Sequence, residues 1–366
     1  MQYRFVSPDT NSPSGFTSND LVTFIVPLDK ASDLVKGSIY VSGSLTVLKT
    51  GPAPIAAVDG VQYDSQAGIH GFFDNIVTSV NVGAGDNLRE NISQYASYAH
   101  AYFEANQHFL TQTLQNSSTM ELRCGQDIYT SSILVGQANA NNSAGTGVNT
   151  FSFAPLICMN RTAKDVSGGM VQSIRVQMQL KNLAQVLYNP DPVGITGLQY
   201  TLTDLRLYYA TVPTAGDMSP NQFTRIMCTR TSIQSSNVTL SYAPPANVLA
   251  VSLTFNDSTS PKPWTTDQIP NVTRVEFSVG GADYTLKFPL TSEEEVVLNY
   301  IKSLNYAMQE SNAIYANLLG HGYGIGLNYL GPVDFRKNRM GISIQSAIGP
   351  SKLYTTQVFH TCIDEI

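Results

Sequence analysis

The sequence predicts an all-β protein of two tandem β-sandwiches, each with one flanking α-helix. Three observations carry that expectation: a length of 366 residues, short strand-like segments throughout, and one order of parts that recurs in both halves. At roughly 150 residues per domain, this length suggests two domains. Charged residues make up 13% of the chain, against about 25% in an ordinary soluble domain. Hydrophobic residues reach 42%, with 15 Phe and 19 Tyr, so the chain has ample material for a core and is not expected to be disordered. A weakly charged surface rich in Thr, Asn and Tyr suits extensive subunit packing, and it also suits many secreted β-proteins.

The first half reads as strands at Leu21–Leu28, Ser38–Lys49 and Ile69–Val82, then Phe151–Met159, Ser173–Leu180 and Leu202–Val212. Ile39, Val41, Leu45 and Val47 alternate with polar neighbours, as do Leu205, Leu207 and Tyr209, the pattern of half-buried strands. From Asn87 to Asn106 the period changes. Ile92, Tyr95, Ala99, Tyr102 and Phe103 recur every three or four residues, which predicts a helix. Asn87 and Glu90 have capping-box spacing at its start.

The second half repeats the order. Arg225–Ala243, Val248–Phe255, Arg274–Val279 and Tyr284–Leu290 read as strands. A helix opens at Ser292, with Glu295 in capping-box position and Val297, Ile301, Leu304 and Met308 on one face. The acids Glu293 to Glu295 sit in its first turn, where the helix dipole favours them. Strands follow at Tyr323–Tyr329, Met340–Ser346 and Leu353–Phe359. The offset between copies is 203 residues before the helix (Phe72 to Val275, Glu90 to Glu293), then 172 (Phe151 to Tyr323) and 148 (Leu205 to Leu353). Order is kept while spacing shrinks, so the first copy carries the longer excursions, at Gln107–Asn149 and Lys181–Tyr200. Within the former, Val135–Thr150 has almost nothing to anchor a core and reads as an exposed loop. About eight strands per half, with long excursions between them, suit two jelly rolls better than meanders. The expected division is residues 1–20 as an N-terminal arm, 21–213 as the first jelly roll, 214–222 as a linker and 223–366 as the second.

Composition also excludes functions. The net charge is −6, and Met1 to Lys30 contains only Arg4 and Lys30 as cations. Binding nucleic acid through its phosphates needs clustered Lys and Arg, so direct genome binding is not expected. No signal peptide is expected at the start, and no apolar run approaches the roughly 20 residues of a membrane span. Cys124, Cys158, Cys228 and Cys362 have no zinc-like spacing; they are expected mostly as buried thiols, with one disulfide left open. His100, Glu104 and His108 could share one helical face, but without HExxH order a solvated face is the expectation. The run Gly320–Gly326 lacks the strand–turn–helix order of a phosphate cradle; close backbone packing or a bent strand is expected there. Nothing around the carboxylates Asp74 and Asp86 marks an acid and a base. No catalytic, cofactor-binding or metal-binding residue is expected, and the chain is not expected to be an enzyme.

Three segments carry a resemblance. Phe151 to Thr162 (FSFAPLICMNRT), the Gly168-Gly169-Met170 turn into Ile174–Gln177, and Thr203–Tyr209 (TDLRLYY) resemble double jelly-roll major capsid proteins. That is the lineage of tailless icosahedral DNA viruses: tectivirus-like phages, virophages, polinton-like viruses and, more distantly, the adenovirus hexon. The N-terminal strand followed by Val35–Ile39, and the order of both halves, agree with it. The resemblance implies sandwiches standing roughly perpendicular to a capsid surface, a homotrimeric pseudo-hexagonal capsomer, and location in a virion after synthesis in the host cytoplasm. It implies capsomer neighbours, penton and minor capsid proteins as partners, and allows an internal membrane beneath the shell. Gln107–Asn149 and Lys181–Tyr200 would contribute to the trimer top, and Met1–Gly15 would be an arm ordered against a neighbour, a minor protein or that membrane. The alternative is a carbohydrate- or receptor-binding β-sandwich of fibre or lectin type, with Trp264, Tyr63 or Tyr129 in a shallow cleft. A glycoside-active sandwich comes third and would need paired carboxylates in a groove.

Overall fold

A computed structural model describes residues 1–9, 15–51, 53–55, 59–64, 67–83, 85–105, 148–216, 219–244, 247–257, 260, 272–280, 285–304, 323–346 and 353–366. The first long excursion up to residue 147, and with it Cys124, Tyr129 and His108, lies outside these residues, as do Trp264, Met308 and His321.

The first half runs β1 (Gln2–Val6), β2 (Leu21–Pro27), β3 (Ser32–Leu34), β4 (Tyr40–Lys49), β5 (Ala53–Pro54), β6 (Gln62–Tyr63), β7 (Phe73–Asn81) and β8 (Asp86–Ser93). Helix α1 (Tyr95–Ala105) follows, then β9 (Val148–Phe153), β10 (Val166–Ser167), β11 (Ser173–Leu180), the short α2 (Leu183–Val186), β12 (Leu187–Tyr188) and β13 (Gln199–Pro213). The second half runs β14 (Gln222–Ile233), β15 (Asn237–Tyr242), β16 (Asn247–Asp257), β17 (Arg274–Gly280) and β18 (Thr285–Leu290). It closes with α3 (Glu293–Leu304), β19 (Ile325–Asp334), β20 (Arg339–Gln345) and β21 (Tyr354–Glu365).

Alternation decides the faces. In β11, Ile174, Val176, Met178 and Leu180 are buried while Gln179 is exposed, so one face meets the core. In β16 every residue from Val248 to Phe255 is buried, because α3 lies against this strand and β19. Gly324 makes that approach possible: a Cβ there would stand 1.9 Å from the Leu253 carbonyl oxygen and 2.6 Å from the Tyr300 ring. The glycine-rich stretch thus serves close packing, as expected, where it falls among the described residues.

Pairing reveals the repeat. In the first half β1, β13, β4 and β9 neighbour one another in that order, and β2, β11, β7 and β8 form the facing sheet. In the second half the orders are β14, β21, β16, β19 and β15, β20, β17, β18. Counting the main strands of each half from one to eight, both give 1-8-3-6 and 2-7-4-5, with the helix between the fifth and sixth. This is jelly-roll topology, twice. The offsets between matching elements fall from 201 (Phe73 to Arg274) through 177 (Val148 to Ile325) to 155 (Gln199 to Tyr354), as expected if the first copy holds the longer excursions.

Some expectations change. Residues 86–93 are a strand and the helix begins only at Tyr95, so Asn87 and Glu90 form no capping box. Buried Glu90 and Ile92 alternate with exposed Asn91, a period of two, and Gln94 at φ 63° breaks the chain between strand and helix. Glu90 and Glu293 are therefore not equivalent. Ile69–Phe72 and Cys158–Met159, read as strand, lie in 3-10 turns. Arg225–Ala243 splits into β14 and β15, which belong to different sheets. The expected N-terminal arm contains β1, which pairs with its own chain from Gln2 opposite Thr211 to Val6 opposite Leu207. At α3 the capping box stands: Ser292 Oγ accepts from the Glu295 N–H at 3.2 Å, and Glu295 accepts from the Ser292 N–H at 3.4 Å.

Candidate functional site

Among the described residues, the one place where the two sandwiches share a sheet is the joint between β8 and β14, which run parallel with Asn91 opposite Met227. This contact joins two four-stranded sheets into one of eight strands. Residues 161–163 extend the joint: Thr162 bridges Phe223, the Ala163 N–H donates to Gln222 O at 2.7 Å and the Thr224 N–H to Arg161 O at 3.2 Å. Tyr98 of α1 meets Phe359 of β21 with ring centroids 5.3 Å apart.

Glu90 lies at the centre and is only 2% exposed. Its carboxylate accepts from the Cys158 N–H and the Ile226 N–H, both at 2.6 Å, and forms an ion pair with Arg161. Arg161 also donates to Tyr98 Oη at 3.4 Å. Burial pushes the Glu90 carboxyl above its ordinary value, against the pull of Arg161 and the two backbone N–H groups. Burial also opposes the charge on Arg161, yet Glu90 beside it, with Tyr98 and Cys158, holds its pKa above the ordinary guanidinium value. One carboxylate thus ties together β8, the Cys158–Asn160 turn and β14. The hydrogen-bond partners of Glu90 among the described residues are all donors, so the arrangement fastens these three segments together.

The segment between β13 and β14 is anchored as well. The Ala215 N–H donates to Asp33 at 3.0 Å, and the Asn221 side chain donates to Lys164 O at 2.9 Å and Asp165 O at 3.1 Å. Asn221 and Ile366 exchange two backbone hydrogen bonds of 3.0 Å.

Two further edges match those at the joint but have no strand partner among the described residues. β18 holds in the second jelly roll the place that β8 holds in the first, and β1 holds the place of β14. Both carry exposed apolar side chains: Met1, Tyr3 and Phe5 on or beside β1, Leu286 and Phe288 on β18. Around β1 the aromatic groups are ordered. Tyr40 and Tyr208 stack at 4.9 Å, Phe5 packs on Tyr208 at 5.7 Å, and the Arg206 guanidinium lies 5.1 Å above the Phe5 ring.

No protein-family model matches this chain, and no curated protein matches it significantly. Solved structures do. The Faustovirus major capsid protein aligns with a TM-score of 0.58 at 11% identity, covering 100% of this chain and 90% of that one. A chain of the Sputnik virophage gives 0.57 at 12% identity, with coverage of 100% and 85%. The mavirus major capsid protein gives 0.50 at 12% identity, with coverage of 100% and 90%. The chain has the double jelly-roll fold of viral major capsid proteins.

Within this double jelly roll the residues weighed for other chemistry are accounted for. His100 is buried, not solvated, and its Nδ1 lies 2.8 Å from Asp64, while the Glu104 side chain and His108 lie outside the described residues. Among the described residues no three His, Cys, Asp or Glu side chains are grouped to hold a metal ion. Asp74 opens β7 and Asp86 faces Asn81 at its far end. At about 3.3 Å per residue they stand on the order of 20 Å apart, too far to act as a pair. Tyr63, named for a glycan cleft, is 1% exposed and unavailable for stacking on a sugar. Cys158, Cys228 and Cys362 form no disulfide. Burial pushes the Cys228 and Cys362 thiols up to about 12, which leaves no thiolate nucleophile there at neutral pH. No helix among the described residues is long and apolar enough to cross a membrane.

Sequence reasoning had no sight of the Glu90–Arg161 joint. No local signal marked it: Glu90 stands next to Arg89, and Arg161 is followed closely by Lys164 and Asp165, so neither charge is singled out by its neighbours.

Proposed function

We propose that this chain is a major capsid protein: three copies form a pseudo-hexagonal capsomer, and capsomers tile an icosahedral shell in the virion. The observation that carries the reading is the doubled jelly roll, with both copies keeping one strand order and meeting edge to edge. Two similar wedges per chain give six per trimer, the shape a hexagonal lattice requires. The fold similarity supports this reading. We divide the chain at 214–222, with Gln2–Val6 counted in the first jelly roll because β1 completes its sheet. Partners are then other copies of the chain, penton and minor capsid proteins, and any membrane that the shell encloses. Synthesis takes place in the host cytoplasm, and the chain performs no catalysis.

Light scattering behind a sizing column tests the reading. The expected mass is three times the 39.7 kDa of one chain, or larger shells visible by electron microscopy. A monomer at every concentration would overturn it and send the protein to a glycan-binding screen.

A further inference from the structure

The joint inside the chain is a template for one between chains. In each jelly roll the fifth strand (β8 or β18) and the first (β14 or β1) stand last in their rows of four main strands; beside β1, the short β3 continues the pairing with β13 from Thr211 to Pro213. The chain joins β8 to β14, while in the equivalent pair β18 pairs only with β17 and β1 only with β13, so the outer edge of each has no strand partner among the described residues. Exposed edge strands are ordinarily shielded by charge, proline or bulges, because they recruit other strands. Arg4 on β1 and Lys287 and Pro289 on β18 are shields of that kind, yet both strands also present large apolar groups: Tyr3 is 74% exposed, Phe5 54%, Leu286 54% and Phe288 37%.

Register sharpens the match. In β8 the residue opposite Thr78 is Glu90, and in β18 the residue opposite Phe277 is Phe288. Counted back from the far ends of β7 and β17, where Asn81 meets Ser173 and Gly280 meets Arg339, Thr78 and Phe277 are each the fourth residue, facing Val176 and Ile342 on β11 and β20. The centre of the inner joint is therefore a buried carboxylate, and the same point on the open edge is an exposed phenyl ring. A phenyl ring asks for an apolar surface, and the aromatic cluster of Tyr3, Phe5, Tyr40 and Tyr208 supplies one at the complementary edge.

We propose that β18 of one chain docks beside β1 of a second copy, repeating between chains the β8–β14 joint found within each. The inference rests on the capsomer reading above and specifies its interface. Such a contact is head to tail, so it uses two different surfaces and closes into a ring when the rotation per step allows. Inner and outer joints alternate around that ring, and every equivalent edge of this kind is covered.

Cysteine pairing tests it. A chain carrying both Phe5→Cys and Phe288→Cys is treated with a short bismaleimide and run under denaturing conditions. The expected products are covalent dimers and trimers, absent when either substitution is made alone. In parallel, Tyr3→Asp and Phe288→Asp, both at exposed sites, should each lower the native mass threefold while circular dichroism stays unchanged. A wild-type trimer whose Asp variants remain trimeric, with no cross-link in the paired variant, overturns the β18–β1 contact and leaves the capsomer reading standing. A wild-type monomer that yields no cross-link overturns both.

Discussion

Strands β8 and β18 occupy one position in two copies of the same jelly roll, and they are finished in opposite ways. On β8, Glu90 is sealed beneath Arg161, Cys158 and Ile226. On β18, residues 286–289 are all exposed, Leu286 and Phe288 among them. A buried ion pair depends on partners held in fixed geometry, since its desolvation cost is recovered only when every polar group is satisfied. That suits a contact within one chain, whose partner is always present. An apolar edge stays tolerable when exposed and gains by burial, which suits a contact made with another molecule.

The largest effect should come from breaking the polar side of this comparison. Glu90→Ala leaves Arg161 buried without its counter-charge and two N–H groups without an acceptor, and should cost about 3–5 kcal/mol in denaturant unfolding. Adding Arg161→Met should recover much of that loss, because no charge is then left alone; a double variant as unstable as the single would show that packing dominates.

Acid should separate the two jelly rolls next. In the first, His70 Nδ1 meets Tyr95 Oη at 2.7 Å and His100 meets Asp64. In the second, His360 is 2% exposed, and its Nδ1 finds no hydrogen-bond partner among the described residues. Burial pushes its pKa down to about 4. Below its ordinary value of 6.5 the unfolded chain takes up a proton that the folded chain refuses, so stability falls as pH drops from about 6.5 to about 4. The full loss is about 3 kcal/mol. His360→Leu should flatten that stretch of the melting-temperature profile, and an unchanged slope would place the sensitivity elsewhere.

Smaller effects test the local geometry. Gly324→Ala drives a methyl group into the Leu253 carbonyl and should cost about 1–3 kcal/mol. At Gly331, where a Cβ meets nothing within 4 Å, alanine should change stability by no more than about 0.5 kcal/mol. Ser292→Ala removes the cap of α3 and should cost about 1 kcal/mol. Asn87→Ala, in the same spacing but on exposed β8, should cost less than about 0.5 kcal/mol. Equal losses at Ser292 and Asn87 would revive the helical reading of that segment.

That last pair shows what could be read from the chain. Both helices, most strands and the recurrence of order follow from local periodicity, and β11 falls where Ser173–Leu180 predicts it. Glu90 misled because its three-residue distance from Asn87 imitates a cap, while its real partners lie 71 and 136 residues away at Arg161 and Ile226. β1 was hidden for the same reason: its partner β13 is some 200 residues distant, and Tyr3 and Phe5 face outward. Duplication itself held the missing clue. The second half places two strands, β14 and β15, ahead of β16, so the first half needed one before Leu21 as well as β2 itself. The open edges could not be read at all, because whether a strand is an edge depends on the whole sheet.

The tether between Pro213 and Gln222 has a consequence for timing. Clamped at Ala215 and Asn221, it holds the second jelly roll against the first at an effective concentration in the millimolar range or above. The β8–β14 joint is thus saturated as soon as a chain folds. The proposed β18–β1 contact would have no tether and would fill only when free chains reach its dissociation constant. Ring formation would then begin at a threshold of accumulated protein, with the rate of synthesis as the clock for assembly.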